Sequence, residues 1–72
     1  MNTIARQACE EYLNRRIPGL SPEAVWLFRR LYSHKNPAMD LTKIVAGLTD
    51  SQIDRAVEQV QATIERETAN AQ

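Results

Sequence analysis

The sequence predicts an all-α fold, a small four-helix domain with a tight helical corner at residues 40–60. Three observations carry this. Apolar residues recur three and four positions apart through most of the chain, which is the spacing of one helix face. The punctuation residues fall in a few clusters, around Pro18-Gly19, Ser21-Pro22, Asn36-Pro37 and Gly47-Leu48-Thr49. No segment alternates apolar and polar residues with β-branched enrichment, and no Asn-Gly or Asp-Gly hairpin turn occurs.

The first helix is expected from about Thr3 to Arg16. Ile4, Ala5, Ala8, Cys9, Tyr12 and Leu13 form its apolar stripe, Glu11 and Arg15 its favourable i,i+4 pair, and Pro18-Gly19 its end. The second helix starts at Ser21-Pro22-Glu23, an N-cap, a proline suited to the first helical position and an acid facing the positive helix end. It is expected to run to about His34, before Asn36-Pro37. Its wide apolar face (Ala24, Val25, Leu27, Phe28, Leu31, Tyr32) predicts the central, most buried helix.

A short third helix spans Leu41 to Ala46. Asp40 is its N-cap, Leu41, Ile44 and Val45 point inward, and Gly47 is its stop, where a positive φ is often required. The fourth helix follows Thr49, whose spacing from Gln52 is that of a capping box. Ile53, Ala56, Val57, Val60 and Ile64 are its inner stripe. The apolar pattern stops near Arg66, so residues 66–72 are expected to be a frayed tail.

With 72 residues the chain is one domain, residues 1–72. A domain this small buries only about 60% of its unfolded surface and gains from self-association. The single cysteine, Cys9, excludes an intrachain disulfide and suits a reducing compartment. No apolar run approaches a membrane span or a secretory leader, so a soluble, cytoplasmic protein with no membrane partner is expected. Formal charge is zero, but unevenly spread: residues 1–48 hold seven Lys/Arg and four acids, residues 49–72 two arginines and five acids. Phosphate contacts dominate DNA affinity, so a neutral chain with an acidic last helix weighs against a DNA partner.

Enzymatic chemistry has little to stand on. His34 and Cys9 are each alone of their kind, and Cys9 lies on an apolar stripe, where a buried inert thiol is expected. Four metal ligands are not available, and two isolated glycines form no phosphate loop. The expectation is a non-enzymatic protein with no catalytic residues, metal, cofactor or small-molecule substrate.

The segment Gly47-Leu48-Thr49-Asp50-Ser51-Gln52-Ile53-Asp54-Arg55-Ala56-Val57 resembles the core of helix-turn-helix and winged-helix regulators. In that family a Gly-apolar-Ser/Thr turn leads into a helix with an inward apolar residue, then an arginine and an apolar pair. The resemblance covers about residues 23–60. It departs from the family in the short helix before the turn, in the absence of a wing, and in Asp50, Asp54 and Glu58 on the helix that would read DNA. It implies a small transcriptional regulator that binds double-stranded DNA, as a dimer on paired half-sites. Ser51, Gln52, Arg55 and Gln59 would then approach base edges, and Arg29, Arg30, Lys35, Lys43 and Thr49 would hold phosphates. An ordinary helical corner needs the same punctuation residues.

A second constellation, Trp26, Arg29, Arg30, Ser33 and His34, shares one face of the second helix. It reads either as a binding surface, since Trp and Arg dominate interface hot spots, or, favoured here, as a core tryptophan covered by arginine stems. The rival function is a protein-binding inhibitor, anti-activator or adaptor docking on a larger protein partner, with Trp26, Arg30, His34, Val60 and Ile64 as interface candidates. The stripe ending in Val60 and Ile64 either outruns the core to pair with a second copy or is covered by the first helix.

Overall fold

The computed structural model describes residues 1–33 and 39–70, the side chain of Asn70 excepted. Four α-helices and no strand are found there: α1 (Thr3–Arg16), α2 (Pro22–Tyr32), α3 (Leu41–Ala46) and α4 (Asp50–Asn70). A 3-10 turn, Ile17–Gly19, links α1 to α2. The all-α reading and the bounds of α1 and α3 match the sequence expectation.

Three of the four α-helices start on a side-chain cap. Asn2 caps α1 by accepting the Ala5 N–H at 2.7 Å, and Ser21 caps α2 by accepting that of Ala24. Thr49 Oγ1 accepts the Gln52 N–H at 3.1 Å while Gln52 Oε1 accepts the Thr49 N–H at 2.8 Å, a complete capping box. Asp40 departs from expectation. It occupies the N-cap position of α3, but its side chain makes no capping hydrogen bond.

The core is built from Leu13, Ile17, Phe28, Ile44, Val45, Leu48, Ile53, Ala56 and Val60. α1 packs along α4 and also on α3. The inner stripe of α4 therefore faces α1: Ile53, Ala56 and Val60 are buried, and Val57 and Ile64 pack at the edge. Leu41 packs against the same core from α3, beside the buried Ile44 and Val45.

Several expectations are corrected. α2 is not the most buried helix. Phe28 is its one buried residue, while Trp26, Leu27 and Leu31 are 57%, 53% and 51% exposed. The reason is that α1, not α2, fills the space along α4. Within α1 the buried edge is narrower than the stripe, since Ile4 and Ala8 are exposed and Leu13 alone is buried. Cys9 is half-buried at that edge. Gly47 has φ −85° and ψ −4°, so the corner uses no left-handed residue.

α4 runs past Arg66, where the apolar pattern stops, to Asn70. Glu67 anchors this last stretch. Its carboxylate accepts the Ser21 O–H at 2.6 Å and the Ser21 N–H at 3.0 Å. The apolar stripe stops near Arg66, but a polar tie to the start of α2 takes over. α2 ends at Tyr32, two residues short of the expected end, with Ser33 closing it by donating its N–H and hydroxyl to Arg29 O.

Candidate functional site

The corner around Gly47 is held by a residue from the other end of the chain. Arg6, on α1, donates to Asp50 Oδ1 at 2.9 Å and Glu10 Oε2 at 2.7 Å, and reaches the Ala46 and Val45 carbonyls at 3.3 and 3.5 Å. It satisfies carbonyls at the C-terminal end of α3 and the acid in the first turn of α4 together. The Met1 amino group also lies 3.3 Å from Asp50. These contacts hold the Asp50 carboxyl below the ordinary aspartate range, through the Arg6 hydrogen bond first. They raise the Arg6 guanidinium further, through Glu10 and then Asp50. No local motif marks Arg6. The only hint in the sequence is its i,i+4 spacing from Glu10, and Arg6–Glu10 is the pair observed on α1.

The base-edge candidates Ser51, Gln52, Arg55 and Gln59 are all exposed and lie on one flank of α4. Leu31 and Tyr32 of α2 face them across a groove. Two of the four already have partners: Gln52 caps Thr49, and Gln59 Oε1 accepts the Tyr32 hydroxyl at 3.1 Å. Burial pushes the Tyr32 phenol up, against the opposing field of Arg55, so the hydroxyl stays a neutral donor. Asp54, Glu58 and Glu65 lie about 120–160° around α4 from Val60, and Glu58, three residues after Arg55, borders the amide–arginine flank. None of these acids lines the groove itself.

The phosphate candidates are not gathered into one surface. Arg29 donates to the Met39 carbonyl at 2.6 Å. The Arg30 guanidinium lies over the Trp26 ring at 5.3 Å. Lys43 is exposed on α3, and Thr49 is engaged in its cap. Lys35 and His34 lie outside the described residues.

The favoured core placement of Trp26 is overturned. Exposed on α2, it forms an apolar shelf with Pro22 and Leu27 beside Glu23. The constellation splits accordingly among its described members: Ser33 is buried, Arg29 donates to Met39, and Trp26 and Arg30 pair in solvent. Val60, an interface candidate, is buried, and Ile64 packs half-buried against the core, so the α4 stripe does not outrun its own fold. What sequence reasoning missed is Leu27 and Leu31. Their helical spacing matched a core face, and only the placement of α1 leaves them uncovered.

The shelf continues into the space between α2 and α4. Leu20, Ala24, Leu27 and Leu31 wall it, Phe28 and Val60 form its floor, and Thr63 and Arg66 line the α4 side. Leu31 and Gln59 are shared with the groove at Arg55, so the two stretches are continuous. Among the described residues no three His, Cys, Asp or Glu side chains converge on a metal-sized site, and no helix is long and apolar enough to cross a membrane. Comparison of the chain with protein-family models, curated proteins and solved structures finds no match.

Proposed function

We propose that this chain is a non-enzymatic helical interaction module that docks on a larger protein through the exposed face of α2. One observation carries the reading: Trp26, Leu27 and Leu31 are each more than half exposed on one short helix. Contiguous apolar side chains in solvent mark interaction sites, and a tryptophan backed by an arginine is a common hot-spot pair. Their burial by a partner would supply the area that a 72-residue domain lacks internally.

The test is site-specific photocrosslinking in cells, with the photoreactive residue at position 27 and, as control, at position 58 on the acidic flank. The expected result is a discrete protein adduct from position 27 and none from position 58. Equal labelling at both, or adducts only with nucleic acid, rejects the reading.

DNA binding through the corner is the second reading, favoured by the complete Thr49/Gln52 capping box and by Ser51 and Arg55 exposed in the first turns of α4. It ranks behind because Gln52, Gln59 and Arg29 are engaged within the chain and because the reading flank lines an apolar-walled groove. A mobility shift on duplex DNA at low salt that weakens steeply with salt and is lost in Arg55→Ala would restore it.

A further inference from the structure

Resting on the docking reading above, we infer that the groove between α2 and α4 takes one kind of occupant: an amphipathic helix of a partner protein whose apolar face is flanked by acidic residues.

The shape selects a helix. The groove follows α4 from Ser51 to Arg66, about 22 Å at 1.5 Å per residue, which matches roughly four helical turns. Its floor, Phe28 and Val60, is buried and concave between Leu27 and Leu31 on one side and Thr63 on the other. A flat lipid surface reaches the rims but not that floor. No strand is present among the described residues, so no sheet edge offers β-addition, and the length and apolar walls of the groove suit helix-in-groove docking.

Charge selects the flanks. The lining contains Arg55 near one end and Arg66 near the other, and no Asp or Glu. This is a local excess in a chain whose formal charge is zero, because the acids of α4 lie outside its lining. A partner helix with acids beside its apolar anchors meets both arginines; a basic one is repelled at both ends. A second copy laid groove to groove would bring arginine rims together, which disfavours a symmetric dimer through this face.

The test uses three synthetic helical peptides of about 16 residues with leucines at i, i+3, i+4 and i+7. One carries glutamates beside the leucines, one lysines, and one keeps the glutamates but has alanine for leucine. Binding to the full chain is followed by Trp26 fluorescence and titration calorimetry, with sedimentation of the free chain alongside. The acidic leucine peptide should bind, with affinity falling as salt rises, and the other two at least tenfold more weakly. Leu31→Gln should weaken binding about tenfold or more while leaving the helical circular dichroism unchanged, since Leu31 is exposed. Arg55→Glu with Arg66→Glu should reverse the preference toward the lysine peptide.

Equal binding of acidic and basic leucine peptides overturns the acidic-flank inference while leaving docking intact. Binding of no peptide overturns the inference, and the crosslink at position 27 then decides separately whether the docking reading falls too. A concentration-dependent dimer abolished by Leu31→Gln makes a second copy the occupant, and equal binding to anionic vesicles makes it a lipid surface; either overturns the inference.

Discussion

Gly47 sits at the corner that most resembles a helix-turn-helix, yet its backbone is right-handed helical. An added Cβ would meet the Lys43 and Ile44 carbonyl oxygens at 3.5 and 3.7 Å, ordinary van der Waals contact. The bend therefore does not need glycine. Gly47→Ala should be neutral or stabilising, by up to about 1 kcal/mol, through the smaller freedom of the unfolded chain. Urea denaturation reads this directly, and a loss of more than about 1 kcal/mol would show that the corner depends on glycine after all. What does hold the corner is Arg6, whose guanidinium meets an acid of its own helix, an acid at the start of α4 and the last carbonyls of α3.

At the scale of the element, the Thr49/Gln52 cap makes a sharp statement about α4. Each side chain satisfies the other's N–H. Thr49→Ala should cost about 1 kcal/mol, and adding Gln52→Ala should cost less than the sum of the two single changes, because the bonds are reciprocal. Strict additivity in denaturation midpoints would argue against the box. Such local devices are what the sequence displays well. Ser21-Pro22, Thr49-x-x-Gln52 and the apolar spacing in α4 were legible because their physics lies within one turn of chain. The uncovered face of α2 was not, because Leu27 and Leu31 have core spacing whether or not a neighbour arrives. The continuation of α4 to Asn70 was hidden for the related reason that Glu67 finds Ser21 across 46 residues. Of the candidate site, the positions on α4 were readable as an exposed flank; the groove they border depends on how α2 is placed.

For the whole molecule, two long-range polar ties fasten α4, Arg6–Asp50 at its start and Ser21–Glu67 near its end. Both carboxyls are held below their ordinary range, Glu67 through the Ser21 hydroxyl first and then the Ser21 N–H. A carboxyl depressed in the folded state stabilises above its unfolded value, and that contribution disappears as pH falls through the folded value. Stability should therefore hold from neutral pH to about 5 and then decline as pH falls below about 4. Arg6, raised from an already high value, stays charged throughout this range. Asp50→Asn and Glu67→Gln should each lower stability at neutral pH and flatten the acid decline, as measured by urea titrations at about pH 7 and pH 3.5. An unchanged acid slope in the double variant would show that neither tie matters in solution.

The packing of α1 along α4 also sets the order in which this chain can fold as it is made. The first 48 residues contain α1, α2 and α3, but none of Ile53, Ala56 and Val60, against which Leu13 and Ile17 are buried. Both fastening ties likewise await residues of α4. On the ribosome α1 can meet α3 first, but the burial of the α1 core residues against α4 begins only when α4 clears the exit tunnel. For that interval Leu13 and Ile17 are exposed together with Leu27 and Leu31, so the nascent chain offers a chaperone a broader apolar surface than the finished protein offers its partner.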